Sequence, residues 1–578
     1  MPVKKRYPVP SDIEIAQEAE LRPISVVARD AGISEEELEP YGKCIAKIDY
    51  VKVLERLKDK PDGKLICVTA ITPTPLGEGK TVTAFGLGQG LNLLGKNIIN
   101  TFREPSKGPT FGIKGGATGG GYSQALPMEN INLHFTGDIH AVDTAHNLCS
   151  AAIDASILHG NKLNLDPLNI TWPYCVDLNS RALRQIVVGL GGRANGYPRT
   201  TGYDITVATE TAAILALAAD LKDLRERIGR AVVGYTYDKN AVTCEDLKVA
   251  GAMTALLKDA LKPNLVQSTE GHPMICHGFP FANVAHGNNS IIANLVALKL
   301  ADYVVTENGF GAENGFVKFV DIVARQSGLK VDCAVIVCTI RALKQHGGAF
   351  LMKPGVSYSK VKEAAETENL GAVEKGCDNL AKNIDIVKTY GVPVVVAINR
   401  FTSDTDNEVA LVKKKALEVG ADGVAVSEVW AKGGEGGKAV AEEVLRVLET
   451  TPSHMKLLFP DDASIKEKIE TIATRIFGAD GVDYSAEAKR KIALYEKLGF
   501  NKLTINVAKT HLSISHNPNL KGVPKNFKLA VRDVRASVGA GFLYPICGAM
   551  STMPGLPSHP AFMDVDVDLE TENIKGLF

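Results

Sequence analysis

The stretch that most constrains this chain runs from Lys64 to Lys96. Leu65, Ile66, Cys67, Val68 and Thr69 form a short apolar run that reads as a buried strand. Thr72-Pro73-Thr74-Pro75-Leu76-Gly77-Glu78-Gly79-Lys80-Thr81 follows, and its prolines and glycines force a loop. From Thr81 to Leu94 the pattern turns helical, with Val82, Phe85, Leu91 and Leu94 apolar and Gly95 as the stop. A strand, a glycine-bearing loop and a helix opening on Gly-Lys-Thr form an arrangement that cradles phosphate. Backbone N–H groups and the helix N-terminus face the anion, Lys80 reaches the β/γ-phosphates, and the Thr81 hydroxyl ligates Mg²⁺. The candidate ATP-binding segment is therefore Thr74, Pro75, Leu76, Gly77, Glu78, Gly79, Lys80 and Thr81. It departs from the usual pattern at Thr74, which stands where the first glycine is expected.

The rest of the chain supports an α/β enzyme-sized protein. Its 578 residues are 45% hydrophobic and 23% charged, enough to bury a large core. A formal charge of −1 favours neither nucleic acid nor an acidic membrane, so any anion site must be local. The ten cysteines are scattered and form no Cys-x-x-Cys, which favours buried, reduced thiols and a cytoplasmic setting. Met1–Arg22 has no apolar core of the signal-peptide kind, and no apolar run approaches the ~18 residues of a membrane span.

Ser11–Glu20 reads as a capped helix, Ile45–Lys58 as a second, and Asn97–Phe102 as the next strand. That strand delivers Arg103 and Glu104 at its carboxyl end, where open α/β sheets place ligands. Pro105–Gln124 is a glycine-dense loop carrying Lys107 and Lys114. Further strands are expected at Ala231–Tyr235, Asp302–Thr306, Val331–Thr339, Pro393–Asn399 and Gly423–Val426, with helices such as Ala212–Leu224 and Ile291–Leu300 between them. The alternation argues for a mostly parallel sheet. Pro354–Lys360 reads as a linker, and the tail from Lys502 as a smaller α+β module.

Several constellations carry less. His134, His140 and His146 recur every six residues, which fits no common helix face and no usual metal site. Asp138, beside Gly137 in what reads as a polar turn, is a candidate acid/base carboxylate, although a solvated turn aspartate has the same signature. Gly189-Leu190-Gly191-Gly192-Arg193-Ala194 matches a dinucleotide pattern, but no helix follows. Val394–Arg400 resembles a base-reading GTPase motif, yet Thr402 stands where the aspartate is needed. Phe310, Phe401 and Trp430 lie in polar or glycine-rich loops, Trp430 in 429–437, and suggest a flat ligand or loop anchors.

The longest motifs are Thr72–Thr81, Arg103–Tyr122, Met128–Ala141, Trp430–Gly437 and Met553-Pro554-Gly555-Leu556-Pro557. In these, and almost end to end, the sequence resembles the formate–tetrahydrofolate ligases. The resemblance implies a P-loop NTPase-like, mostly parallel α/β core with large insertions and a smaller C-terminal α+β module. Residues 1–365 would form the nucleotide-binding core, and 366–578 would contribute the folate pocket. It implies ligation of formate to tetrahydrofolate with MgATP through formyl phosphate, with Lys80, Arg103 and Asp138 catalytic. Arg103 would hold formyl phosphate, Glu104 and Asp138 would line the folate end, and Asp138 would take the N10 proton. Phe401 and Trp430 would sandwich the folate rings, with Phe310 on the same wall. Thr402 replaces a proline common in the family. K⁺ or NH₄⁺ activation, polyglutamylated substrate and a homotetramer are implied by the resemblance alone. The rival from another class is a P-loop switch ATPase with no small-molecule product.

Overall fold

The computed structural model describes residues 3–114, 118–352 and 356–577. Twelve strands build its main sheet. In chain order they are β1 Leu38–Pro40, β2 Ala46–Ile48, β3 Lys64–Ala70, β4 Ile98–Phe102, β5 Gly119–Gly120, β6 Ser123–Leu126, β7 Asn264–Ser268, β8 Pro273–Cys276, β9 Tyr303–Glu307, β10 Cys333–Cys338, β11 Val394–Asn399 and β12 Gly423–Ser427. The spatial order is β1-β2-β7-β8-β4-β9-β3-β10-β11-β12, with β6 beside β7 and β5 beside β6. Every pairing from β8 to β12 is parallel, and the β1–β2–β7–β8 end is antiparallel.

Alternate residues of each parallel strand feed two different cores, which is why these strands read as unbroken apolar runs. Leu65 and Cys67 of β3 point into one cluster, with Ile336 and Val396. Ile66, Val68 and Ala70 point into the other, with Val335 and Val395. The second core is closed by two helices, α1 Lys80–Leu93 and α3 Gly434–Thr450, through Phe85, Leu87, Leu91, Val440 and Val444. Among the described residues no helix is long and apolar enough to cross a membrane.

Four local expectations change. Ile45–Lys58 is not one helix: Ala46–Ile48 is a strand held between β1 and β7, and Asp49 caps a helix that begins only at Tyr50. Ala212–Leu224 is split into Glu210–Leu217 and Leu221–Arg230, the second capped by Asp220. Asp138 is not in a turn; it opens the helix α2 Asp138–Leu158, with Gly137 at φ 96° as its N-cap. The run 429–437 is not a flexible loop either. Val429–Lys432 is a short helix, and Gly434 begins α3.

The glycines of that run exist for close approach. A Cβ on Gly437 would lie 2.1 Å from the Gly86 carbonyl oxygen, and one on Gly90 2.8 Å from Gly437. The main chains of α1 and α3 therefore touch, which only glycine permits. Gly437→Ala is expected to destabilise the protein by about 1–3 kcal/mol through overpacking. A melting temperature equal to the parent's would show that the helices part easily.

Past β12 the chain adds a second, smaller sheet whose apolar residues join the first core cluster. Val482–Tyr484, Thr504–Ile505, Leu529–Ser537 and Phe542–Cys547 pair into a four-stranded sheet. Pro354 of the expected linker lies outside the described residues. Nine cysteines are buried and Cys44 half-buried, and all ten are free.

Candidate functional site

The chain leaves β3 toward β4 on one side of the sheet, while β10, β11 and β12 step outward on the other. The crevice at the carboxyl end of β3 is where such sheets bind ligands. The loop 71–79 leaves that end of β3. Arg103 and Glu104 follow β4, and Phe310 follows β9. Phe401 and Trp430 follow β11 and β12, whose last residues, Asn399 and Ser427, are paired.

The loop is held from within. Thr74, placed where a glycine was expected, is buried and donates both its N–H (2.7 Å) and its hydroxyl (2.9 Å) to Glu78 Oε1. Burial pushes the Glu78 carboxyl up to about 7 against these bonds. Gly77 and Gly79 sit at φ 72° and 69°, the left-handed region that favours glycine. A Cβ on Gly79 would meet the Asn399 amide at 2.2 Å, and that amide donates to the Glu78 carbonyl at 3.0 Å. Arg341, a residue the sequence did not single out, donates to the carbonyls of Leu76 (2.9 Å) and Gly77 (3.2 Å). Its guanidinium also lies 3.8 Å over the Phe401 ring, joining the loop to that aromatic.

A second missed residue is central. Glu307, the last residue of β9, is 3% exposed. Thr81 Oγ1 donates to its Oε2 at 2.7 Å, Lys80 Nζ lies 3.9 Å from the same oxygen, and Arg103 Nη2 lies 3.8 Å from Oε1. Three expected anion-site groups thus converge on one carboxylate. The signal that could have found it is the one that found Arg103: a polar residue at the carboxyl end of a buried parallel strand.

Asp138 and Glu104 belong to a neighbouring buried group. Asp138 Oδ1 accepts from Lys47 Nζ at 2.8 Å, Oδ2 accepts from the Asn264 amide at 2.8 Å, and both Asp138 and Lys47 are 1% exposed. Both oxygens of the expected catalytic aspartate are therefore engaged. Glu104 is 4% exposed, and its Oε2 is buried without a hydrogen-bond partner. Burial first, then the Asp138 charge, push its carboxyl up to about 8; Lys107 and Lys47 pull it down and Asp177 adds to the rise. Lys107 itself lies 3.8 Å from Asp177, and the Lys114 side chain lies outside the described residues.

The Glu104 shift has a testable sign. A carboxyl whose folded value is raised keeps its proton where the unfolded chain has lost it. Its contribution to stability is full below the ordinary 4.5 and is lost as pH rises through about 8. Glutamine cannot ionise. The melting temperature of Glu104→Gln relative to the parent is expected to rise from pH 5 to about pH 8 and to level off above it; a difference independent of pH would refute the shift.

The three aromatics sit against different partners. Phe310, at φ 65°, stacks on His511 with centroids 4.3 Å apart. Phe401 lies under Arg341, in a turn closed by Asp404, and Thr402 is exposed. Trp430 is 45% exposed; its carbonyl accepts from the Tyr122 N–H at 2.9 Å, and its side chain neighbours the Asp12 carboxylate, helping to hold that carboxyl down against burial. His146 is a core residue, stacked on Trp172 and bonded to Thr211 and the Pro173 carbonyl, and burial lowers it to about 3. A cavity of about 950 Å³ is lined by Arg184, Arg199, Tyr203, Arg535 and Tyr544 among others. None of the groups that converge on Glu307 lines it, so the strand edge, with its convergent polar groups, is the stronger candidate.

Comparison with known proteins finds similarity along almost the whole chain. The sequence profile of the family described as "Formate--tetrahydrofolate ligase" matches residues 10–578. A protein of that name from Desulforamulus reducens is 59% identical over 570 residues, 99% of this chain and 100% of the relative. Proteins of the same name from Roseiflexus sp. (strain RS-1) and Roseiflexus castenholzii are each 52% identical, over 98% and 97% of this chain and 99% and 98% of their own lengths.

Proposed function

Since the chain belongs to the formate–tetrahydrofolate ligase family, whose members join formate to tetrahydrofolate with ATP in one-carbon metabolism, we propose that the reaction runs at the edge where Lys80, Thr81 and Arg103 meet Glu307. That convergence is the observation that carries the reading. The loop 74–81 serves as a P-loop, its backbone N–H groups and the start of α1 facing the ATP phosphates. Lys80 neutralises the γ-phosphate. The hydroxyl of Thr81 and the carboxylate of Glu307 are hard oxygen donors and fit Mg²⁺, which when bound neutralises phosphate charge.

Formate is a poor electrophile because its charge is delocalised and its oxygen leaves badly. A formate oxygen attacks the γ-phosphorus, the bond to the β–γ bridging oxygen breaks, and formyl phosphate and ADP form. Arg103 holds the acyl phosphate, using paired N–H groups that suit phosphate. N10 of the folate then attacks the formyl carbon, the C–O bond to phosphate breaks, and 10-formyltetrahydrofolate and phosphate result. Phe401, Trp430 and Phe310 supply the wall for the folate rings.

The proton lost by N10 needs an acceptor with a value near the working pH. Asp138 is covered and doubly engaged, so we assign this step to Glu104, whose unpartnered oxygen and raised value suit it. Asp138 and Lys47 then act as its fixed electrostatic surroundings. Activation by K⁺ or NH₄⁺, polyglutamylated folate as substrate, a cytoplasmic location and a homotetrameric assembly complete the reading. ADP release should be slow with ATP alone and rise when formate and tetrahydrofolate are added together. A rate that ignores both substrates, as a switch ATPase would show, overturns the reading.

A further inference from the structure

We propose that Glu307 makes anion binding at this edge conditional on a divalent cation, so that metal-bound polyphosphate is admitted and bare anions are turned away. The inference rests on the reading of Lys80 and Thr81 as the phosphate end of the ATP site.

Lys80 and Arg103 bring two positive charges to the crevice, from the ends of α1 and β4. Two cations on a strand edge would hold any small anion, including phosphate and metal-free nucleotide. Glu307 is placed between them. Its two oxygens face Arg103 and Lys80 at 3.8 and 3.9 Å, and Thr81 donates to it at 2.7 Å. The carboxylate thus sits where an anion would seek these donors, and repels it.

Glu307 is also fixed in place. Its strand pairs with β3 at Val68, the Asn308 N–H donates to the Val68 carbonyl at 2.9 Å, and Glu307 is 3% exposed. A short side chain anchored on a central strand has little room to withdraw. Charge neutralisation is the remaining way to admit phosphate. A divalent cation of oxygen preference, held by Glu307 and the Thr81 hydroxyl, reverses the local sign: the group that repelled bare phosphate then anchors the ion that phosphate binds. Glu307 is thereby a positioning residue that reads whether the nucleotide carries its metal.

The test measures binding without turnover. Dissociation constants are determined by calorimetry for an ATP analogue whose β–γ bridge is nitrogen, in Mg²⁺ and in chelator at equal ionic strength. The parent is expected to prefer the Mg²⁺ form. Glu307→Gln removes charge while keeping shape, and should bind the metal-free analogue more tightly and the Mg²⁺ form less tightly. The preference is expected to fall about ten-fold, as loss of one unit charge near a phosphate would give. A preference that Glu307→Gln keeps in full overturns the inference and leaves the site assignment standing. A parent that binds the analogue under neither condition overturns both. Should Glu307→Gln not fold, Glu307→Asp retracts the carboxylate by one methylene, and an unchanged preference there is equally fatal.

Discussion

Lys80→Ala is expected to lower kcat for ligation by about 10²–10³, or about 3–4 kcal/mol, with little change in melting temperature. Phosphoryl transfer to a carboxylate crowds negative charge, and catalysis there is mostly positioning and neutralisation. Lys80 is the first residue of α1, after Gly79 in the left-handed conformation, and its side chain, 15% exposed, belongs to neither apolar core cluster of the sheet. Its ion pair with Glu307 is 3.9 Å long, and Glu307 keeps its bond to Thr81 when Lys80 is truncated. The fold should therefore survive the loss. A variant that turns over at near the parent rate would remove this loop from the mechanism. One that melts far below the parent would show that Lys80 is structural.

The second large effect concerns folate. Trp430→Ala should raise the folate dissociation constant about 10- to 150-fold and leave ATP affinity within a factor of a few. A stacked aromatic face contributes about 1.5–3 kcal/mol. Two observations separate this from loop anchoring. Trp430 is 45% exposed, so much of its surface remains for a ligand. The segment's bond to Tyr122 is made by the Trp430 carbonyl, which alanine retains. What alanine loses within the protein is the indole's packing and its approach to Asp12. Folate affinity, ATP affinity and melting temperature measured on one variant decide the matter; unchanged folate binding with a large drop in melting temperature would sink the stacking role.

Residues whose role follows from a local pattern were legible. The strand, loop and helix around Lys80 could be read directly, and so could the strand that delivers Arg103 and Glu104. Thr74 was seen as a departure, but not its reason, since its two bonds to Glu78 depend on how the loop folds back. Glu307 was not legible because its partners lie over two hundred residues away in sequence, Thr81 at a separation of 226. The same holds for Lys47, whose pairing with Asp138 spans 91 residues and turns an apparent turn carboxylate into a buried ion pair. The glycines after Trp430 misled for a different reason. Composition cannot tell a glycine needed for freedom from one needed for contact, and here contact prevailed.

That contact has a consequence for how the enzyme measures its substrates. Val429 packs on Gly86 and Gly437 on the Gly86 carbonyl, so the helix that starts after the loop 71–79 and the segment that presents Trp430 are in van der Waals register. The span from loop to indole is set by the main-chain contact of Gly437 with Gly86 and by the stiff, β-branched Val429 side chain seated on Gly86. If the loop and the indole hold opposite ends of a ligand as proposed, the span would act as a fixed gauge: ligands that match it would be held at both ends at once, while longer or shorter ones would lose one end, because neither helix can yield without unpacking the core beneath it.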